Sequence, residues 1–475
     1  MGFDLDYIFH PRNIAVAGAS ESPDKTGHTY FKTQLENFKG KVYPINFRAK
    51  EVLGVPTYQT IKDLPEDVDY VISAIPNTNI IDLVRDCISK NVKILHLYTA
   101  RFSETGYEKE AALEREMLEM AQSSGLRILG PNCMGLYYPR EGISFGRGFP
   151  EEPGTVGFIS QSGGNASEVI SSGAIRGLRF SKVISYGNAI DLNEAILIDY
   201  LAEDPETKVI GAYIEGVRDG PAFVKAVKRA SQIKPVVLLK GGRTQAGTHM
   251  VSSHTASLAG AQEVWKAMCR QTGAINAFSM DEMLDMLVAF SCMPKATGFR
   301  LLVGGGSGGK SVLSADECEE EGLELQTIPD DVREELTRRD EFFGAWVTNP
   351  VDSSIMGGSN LTPHEVIDLI GRSPAYDVVI NSISAGGPLA TTDPNRQSRA
   401  TRILDHTADI ANDLGKPVAL VIADVAPETE QQLQAILELR HRCIEGGFAT
   451  FPSMNRASRA VRRLVDYYRW ISEIE

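Results

Sequence analysis

The sequence predicts an α/β protein with three consecutive Rossmann-like or flavodoxin-like domains, each built on a parallel sheet. The length of 475 residues suits three domains of roughly 150 residues each. Short apolar runs alternate with amphipathic stretches along the chain, which is typical of repeated βα units. A Gly-rich turn follows the first apolar run of each of the three sets.

The apolar runs fall into three sets separated by turn-rich breaks. The first set contains NIAVAGAS, KVYPIN, YVISAI, KILHLY and LRILGPN and ends at PEEPG (150–154), which predicts a domain at 1–150. The second contains TVGFIS, SKVISYG, KVIGAYIE and PVVLLKGG, then a long amphipathic stretch at 257–292 that is interrupted near Thr272-Gly273, which predicts a domain at 151–295. After PKATG (294–298), the runs RLLVGGG, YDVVINSIS and PVALVIA and a basic helix at 454–471 predict a third domain at 296–475.

Charge and hydropathy exclude several classes of protein. The formal net charge of −14 argues against a nucleic-acid partner. No apolar run approaches the roughly 18–20 residues that cross a bilayer, and the N-terminus carries acids where a signal peptide carries basic residues. The six cysteines include no CxxC pair. His249 and His254 are five residues apart, but no further metal-binding side chain completes a site with them, so no metal site is predicted. We expect a cytoplasmic protein without a membrane partner.

The Gly-rich turns indicate anion binding. They run from Gly18 to Gly27, from Ser160 to Gly164 and from Gly304 to Gly309. Backbone N–H groups at such a turn face a ligand at a helix N-terminus, where the helix dipole favours an anion. One turn alone is explained by the steric needs of a tight connection. Three turns, each after a domain's first strand, favour phosphate or carboxylate binding.

The second predicted strand of the first domain ends in Asn46-Phe47-Arg48. A dinucleotide-binding domain that holds a plain ribose carries an acid near this point, whereas a cation suits a phosphorylated ribose. Coenzyme A has a 3′-phosphate, so Arg48 favours coenzyme A over NAD.

The third turn leaves an alternative open. Residues 304–311 read GGGSGGKS, follow a predicted strand and satisfy the P-loop pattern GxxxxGK[ST]. Asp424, after VALVIA, is the best candidate for the acidic companion motif. A P-loop NTPase or kinase that uses Gly304–Ser311 is therefore the second hypothesis.

Five longer motifs are more specific. They are GPNCMGL (130–136), GFISQSGG (157–164), the stretch from SKVISYG to YIEG (181–216), KPVVLLKGGRTQAG (234–247) and SHTASLAG (253–260). Along essentially the whole chain the sequence resembles the α subunit of the ADP-forming acetyl-CoA synthetases, in the succinyl-CoA synthetase superfamily. The domains then correspond to a CoA-binding domain, a succinyl-CoA-ligase-like domain with a phosphohistidine, and a third ligase domain.

The resemblance implies a reaction and its residues. These enzymes interconvert acid, CoA and nucleoside triphosphate with acyl-CoA, nucleoside diphosphate and phosphate, through an acyl phosphate and a phosphohistidine. His254 matches the phosphorylated histidine, and Glu215 matches the acid that orients it. The remaining matched positions divide by ligand: phosphate at Asn132, Cys133, Ser160, Gln161, Ser162, Gly163 and Gly164; CoA at Gly18, Ser20, Lys25 and Arg48; the acyl carboxylate at Gly305, Gly306, Asn349, Gly386 and Gly387.

The chemistry of imidazole agrees with this assignment. A neutral ring can attack phosphorus, and a carboxylate on its other nitrogen fixes the tautomer and stabilises the cation that forms. Helix N-termini supply the positioning and charge stabilisation that phosphoryl transfer needs. Ser253, Thr255 and the small residues of 252–260 predict a loop around His254.

The resemblance also implies partners and leaves questions open. No region resembles the ATP-grasp domain, so ATP or ADP and Mg²⁺ are expected on a separate ATP-grasp β subunit of an α2β2-type hetero-oligomer. The substrate is a small carboxylic acid; acetate, branched, hydroxy and aryl acids remain open, as does ADP against GDP. Ala256, the segment Tyr98–Phe102 and Lys310 depart from the family pattern. A non-catalytic CoA-binding regulatory protein is a further alternative.

Overall fold

The computed structural model describes residues 5–255, 262–343, 346–356, 359–383, 405, 410–413, 415–422 and 429–474. The chain divides into two compact units, Met1–Met283 and Leu284–Glu475. Two parallel-stranded sheets lie in the first unit and one in the second. The predicted α/β class with mainly parallel sheets is confirmed, while the boundaries near 150 and 295 remain predictions.

The first sheet has five parallel strands in the order β2-β1-β5-β6-β7. Its strands are mostly buried, as expected of a parallel sheet covered on both faces. A short hairpin, β3 and β4, follows β2. The bounds are β1 Asn13–Ala17, β2 Lys41–Ile45, β3 Glu51–Val52, β4 Val55–Pro56, β5 Tyr70–Ser73, β6 Ile94–Leu97 and β7 Arg127–Leu129; α1 Asp6–Phe9, α2 Thr26–Asn37, α3 Ile80–Ser89 and α4 Glu108–Ser124.

The second sheet has the order β13-β12-β11-β9-β10-β8. Its strands are parallel except β8, which pairs antiparallel with β10. The bounds are β8 Gly135–Tyr137, β9 Val156–Ser160, β10 Phe180–Ser185, β11 Val209–Ile214, β12 Val236–Lys240 and β13 Ile275–Ala277; α5 Gly163–Ile175, α6 Glu194–Glu203, α7 Gly220–Ile233, α8 Gln245–Thr255, α9 Gln262–Thr272 and α10 Met280–Cys292.

The third sheet has five parallel strands in the order β15-β14-β16-β17-β18. Its core joins apolar side chains of β14, β16 and β17 to those of the surrounding helices. The bounds are β14 Arg300–Gly304, β15 Glu324–Leu325, β16 Val378–Ile383, β17 Val418–Ile422 and β18 Ala449–Phe451; α11 Gly308–Glu320, α12 Asp330–Arg339, α13 Pro363–Gly371, α14 Glu430–Glu445 and α15 Met454–Ile474.

Local sequence explains where several helices begin. The side chains of Asn193 and Asp219 accept hydrogen bonds from the backbone N–H groups of Ile196 (3.1 Å) and Ala222 (3.0 Å) at the starts of α6 and α7. These residue types are favoured at helix N-termini because they satisfy otherwise unpaired N–H groups. The elements that carry the site are therefore started by local signals in the sequence.

Two sequence predictions have different outcomes. The stretch 257–292 was predicted to be interrupted near Thr272-Gly273, and α9 does end at Thr272, but the strand β13 between α9 and α10 was not predicted. A three-residue strand is too short to show a period of its own. The predicted loop around His254 is helical up to Thr255, because α8 continues through residues 252–255.

Candidate phosphoryl-transfer site and CoA site

The turn after β9 forms the start of α5. The Ser162 side chain accepts a hydrogen bond from the backbone N–H of Asn165 (3.3 Å), and the Ser160 hydroxyl donates to the carbonyl of Ser162 (2.7 Å). Gly163 and Gly164 lie in the first turn of the helix, where N–H groups have no partner within the helix. This arrangement suits an anion at the carboxyl end of the sheet.

Gln161 joins this turn to the next strand. Its side-chain oxygen accepts hydrogen bonds from the backbone N–H groups of Glu215 (2.6 Å) and Gly216 (2.9 Å). The residue was predicted to bind phosphate. Its side-chain oxygen fixes the turn that presents Glu215, through a contact 54 residues apart in the chain, and phosphate binding by Gln161 stays a prediction.

Glu215 follows β11 and is 6% exposed. The Lys240 ammonium donates to the carbonyl oxygens of Glu215 (2.6 Å) and Gly241 (2.5 Å) and is itself buried. Burial lowers the pKa of Lys240, and the negative charge of Glu215 partly opposes this. Sequence reasoning missed Lys240, whose importance appears only when β11 and β12 are paired.

The loop Gly130–Met134 lies against the loop Ser160–Gly164. A Cβ added to Gly163 would come within 2.4 Å of the Met134 side chain, so the two loops touch. Asn132 has a positive φ of 59°. The Cys133 thiol is buried, donates to backbone carbonyls of Leu129 (3.6 Å) and Leu97 (3.7 Å), and has a raised pKa because of burial. Cys133 therefore packs inward, and a contribution from this loop to anion binding rests on its backbone and on Asn132.

A polar chain connects this loop to the Glu215 turn. Asn188 donates through its side-chain nitrogen to a carboxylate oxygen of Glu104 (2.7 Å), and its side-chain oxygen accepts from Asn132 (3.5 Å). The Arg218 guanidinium donates to the carbonyl of Asn188 (3.0 Å) and is exposed. It brings a positive charge to the edge that carries both loops. The sequence gives little indication of a role for Arg218, because only its position three residues after Glu215 connects it to the site.

His254 lies in α8, and its side chain is outside the described part of the structure. The helix starts shortly after the Gly241-Gly242 turn, and the Thr248 hydroxyl donates to the carbonyl of Gly242 (3.0 Å). The same helix contacts the turn Ser103–Thr105, which contains Glu104. The helix α8 therefore lies against the turn that contains Glu104 and against the Gly242 turn that follows β12.

The predicted CoA residues meet at the carboxyl end of the first sheet. Gly18 has a φ of 89°, and a Cβ on Gly27 would lie 2.0 Å from the Gly18 carbonyl, so α2 starts directly on this turn. The Asn46 side chain donates to the Ala19 carbonyl (2.8 Å) and accepts from the Arg48 backbone (2.8 Å), linking the first turn to Arg48.

The cations of this site are exposed. The Arg48 guanidinium lies 4.9 Å from the centre of the Phe47 ring, and Lys25 precedes the first residue of α2. The Ser20 hydroxyl accepts from the backbone N–H of Ser22 (3.2 Å) and shapes the turn. Two cations beside a helix N-terminus fit the phosphate groups of coenzyme A.

The corresponding turn of the second unit uses its side chains differently. Gly305 and Gly306 both have positive φ angles (82° and 102°) ahead of α11. The Asn349 side chain accepts from the Val303 N–H (2.9 Å) and donates to the carbonyls of Leu301 (2.7 Å) and Gln326 (2.9 Å). It is therefore occupied by the backbone. Gly386, Gly387 and Asp424 lie outside the described residues.

Comparisons with known proteins agree with this organisation. Residues 12–139 match the CoA binding domain family, and residues 153–290 match the family described as succinyl-CoA ligase like flavodoxin domain. The α subunit of ADP-forming acetate–CoA ligase II of Pyrococcus furiosus is 37% identical over 430 residues, 90% of this chain and 92% of that protein. ADP-forming acetate–CoA ligase I of Archaeoglobus fulgidus is 37% identical over 80% of this chain and 55% of its own length.

A solved structure extends the likeness to the fold. The dinucleotide-forming acetyl-coenzyme A synthetase 1 of Ca. Korarchaeum cryptofilum, in complex with phosphate and ADP, is 30% identical, with a TM-score of 0.83 over 99% of this chain and 98% of that chain. A CoA-binding domain followed by a succinyl-CoA-ligase-like domain defines an acid–CoA ligase. The chain belongs to the family of ADP-forming acyl-CoA synthetases and corresponds to their α subunit. These matches support this interpretation over the P-loop alternative.

A search for membrane-spanning segments adds one observation. Within the described part of the chain, no helix combines the length with the apolar content that a membrane span requires.

Proposed function

We propose that the chain catalyses the phosphoryl-carrying half of an acyl-CoA synthetase reaction, with His254 as the covalent carrier and Glu215 as the residue that orients it. In the synthetic direction, phosphorus moves from nucleoside triphosphate to an imidazole nitrogen and then to the substrate carboxylate. The thiol of CoA next displaces phosphate from the acyl phosphate. Each step forms one bond to the transferred group and breaks another.

The observation that carries the proposal is the way the Glu215 turn is held. Gln161 binds its backbone from the Ser160–Gly164 loop, and Lys240 binds it from β12. The acid is thus held from the loop that opens α5 and from β12, the strand that precedes α8, which carries His254. A carboxylate in this position can fix the imidazole tautomer and stabilise the ring when it is phosphorylated.

The phosphoryl group is proposed to bind at the two adjoining loops. First-turn N–H groups of α5 and the backbone near Asn132 supply hydrogen bonds, and Arg218 supplies positive charge. Such groups act mainly by positioning and by stabilising the charge of the transferred group. Lys25 and Arg48 are proposed to bind the phosphates of CoA, and Gly305 and Gly306 the acyl carboxylate. Asn349 then shapes this turn through its backbone contacts.

The nucleotide and Mg²⁺ are proposed to bind on an ATP-grasp partner subunit. The match to a relative named as an α subunit, over 92% of that relative, supports a two-subunit enzyme. The described polar groups are proposed to bind phosphate and CoA, whereas a nucleoside triphosphate needs a metal-binding site of its own. The substrate is proposed to be a small carboxylic acid.

The test is direct phosphorylation of the chain. The co-purified complex is mixed with radiolabelled ATP and Mg²⁺, and acid-labile, base-stable phosphate on this chain is measured. We expect label on the wild type and none on His254→Asn, because the substituted side chain has no nucleophilic ring nitrogen.

His249→Asn is the matched control, since His249 lies exposed on the same helix. It should keep the label. Label that persists in His254→Asn, or a wild type that stays unlabelled with an active partner subunit, would contradict the proposal.

A further inference from the structure

Three residues other than glycine have left-handed backbone angles in neighbouring loops. Arg101, Asn132 and Ala189 have φ angles of 74°, 59° and 56°. The Asn132 backbone N–H donates to the Thr99 carbonyl (3.0 Å), and its side chain donates to Asn188 (3.5 Å), the residue before Ala189. Backbone strain of this kind persists only where the surrounding structure holds it, and it is concentrated at functional sites.

The strained backbone of Arg101 is held by groups on both sides. The Glu104 carboxylate accepts hydrogen bonds from the backbone N–H groups of Arg101 (2.6 Å) and of the buried Phe102 (3.0 Å). The Asn77 side chain donates to the Arg101 carbonyl (2.7 Å). Each contact uses the main chain of residue 101, and glycine adopts this φ without strain. The fold therefore gives no reason for an arginine here.

The Arg101 side chain is exposed. Within the described part of the chain, its guanidinium makes no hydrogen bond, ion pair or ring contact. A guanidinium carries a permanent charge and a planar set of donors that matches phosphate oxygens. An ordinary surface arginine occurs on unstrained backbone, so the strain at residue 101 indicates that this cation serves a ligand.

Arg101 begins beside the loops proposed to bind the phosphoryl group. The Glu104 carboxylate that holds its backbone also accepts from the Asn188 side chain (2.7 Å). The turn Ser103–Thr105, two residues further along, contacts α8, the helix that carries His254. A long side chain that starts at residue 101 therefore leaves the backbone between the phosphate loop and the histidine-bearing helix.

The order of the first sheet separates Arg101 from the proposed CoA cations. The segment of Arg101 follows β6, which lies beside β7, and β7 leads into the loop Gly130–Met134. Lys25 and Arg48 follow β1 and β2, which lie on the other side of β5. The phosphoryl group, and not a phosphate of CoA, is therefore the anion that Arg101 fits.

We propose that Arg101 is a phosphate-binding residue, whose guanidinium binds the phosphoryl group carried by His254 and the phosphate displaced from the acyl phosphate. This inference rests on the proposed function, in which His254 carries phosphorus between these loops. Arg101 then supplies a second positive charge in addition to that of Arg218, and this use of the side chain accounts for an arginine at a strained position.

Calorimetric titration of the co-purified complex with inorganic phosphate tests the inference. Arg101→Gly should weaken phosphate binding by about tenfold, because a charge-assisted hydrogen bond is lost. Its melting temperature should match that of the wild type, since glycine favours the φ of 74°. Arg101→Lys keeps the charge without the planar fork, so its affinity should lie between the two.

The matched control is Asn91→Gly. Asn91 is exposed, has a left-handed φ of 53° and lies just after α3, so the same change is made away from the site. It should bind phosphate like the wild type. If Arg101→Gly melts at a lower temperature, Arg101→Gln removes the charge without adding backbone freedom and should weaken phosphate binding to the same extent.

The outcomes separate the inference from the proposed function. Wild-type phosphate affinity in Arg101→Gly, or affinity for CoA that falls as much as affinity for phosphate, overturns the role of Arg101. A wild-type complex that takes label on His254 but binds no inorganic phosphate overturns it as well. Absence of label on wild-type His254 overturns the proposed function instead.

Discussion

The Gly-rich turns after β9 and after β14 look alike in outline and differ in what surrounds them. Both follow a buried strand, both open a helix of 13 residues, and both lie at the carboxyl end of parallel strands. Around the first, Gln161 and Lys240 hold the backbone turn that carries Glu215. Around the second, Asn349 is bonded to three backbone groups of its own unit.

The difference teaches that a glycine turn identifies a place where a ligand can approach, but not the chemistry done there. The chemistry depends on whether neighbouring strands bring a titratable side chain to the turn and hold it. In the second sheet β11 and β12 do so for Glu215. In the third sheet, the side chain of Asn349 is bonded to backbone groups and shapes the loop.

The largest expected effect is that of Gly241→Ala. Its added methyl would lie 2.6 Å from the Tyr213 hydroxyl oxygen and 3.3 Å from Cγ of Glu215, so these side chains would have to shift. Misplacement of an orienting group by about 1 Å predicts a loss of about hundredfold in the rate of His254 phosphorylation. The rate with radiolabelled ATP is the measurement, with the melting temperature recorded in parallel.

Gly309→Ala is the matched substitution in the other turn, where nothing lies within 4 Å of the added methyl. It should leave the phosphorylation rate unchanged. Equal rates for the two variants would break the distinction drawn between the turns.

Asn349→Ala is expected to affect stability and not phosphoryl transfer. Removing its side chain leaves one N–H and two carbonyl groups of the backbone without these bonds, which costs about 2 kcal/mol of the free energy of unfolding. Urea denaturation of the chain measures this loss. The exposed Asn360→Ala in the same unit is the control and should unfold like the wild type. Wild-type stability of Asn349→Ala would show that those bonds contribute little.

The smallest effect is expected for Lys310→Ala. Lys310 is exposed in the first turn of α11, and substitutions of exposed side chains cost about 0.5 kcal/mol or less. We expect acyl-CoA formation to fall by less than about threefold, measured as CoA-dependent release of nucleoside diphosphate over a panel of acids. A P-loop enzyme would lose its activity, so inactivity of this variant would revive that alternative.

The sequence predicted what depends on local pattern. Apolar runs at strand length and helix-starting residues such as Asn193 and Asp219 gave the α/β class. Glycine after a strand located the turns, including the one at Gly18, whose φ of 89° favours glycine. The short strands β8, β13, β15 and β18 were missed because two or three residues show no periodicity.

The site was predicted in part, for a related reason. His254 and Glu215 were found through long motifs, and the placement of the His254 side chain stays a prediction. Lys240, Asn188 and Arg218 were not found as members of the site, because their roles arise from contacts between segments distant in sequence. Gln161 was predicted to bind phosphate, and the sequence does not show that its side-chain oxygen accepts a hydrogen bond from the backbone of residue 215.

The strand β8 has a consequence for exchanging parts between relatives. The chain leaves the first sheet at β7, passes through the loop Gly130–Met134, and at once adds β8 to the edge of the second sheet. A splice at residue 150 would carry that edge strand away with the wrong half and expose the backbone of β10. Chimaeras that swap the CoA-binding module should therefore be joined ahead of residue 130, so that the loop Gly130–Met134 and β8 stay with the second sheet.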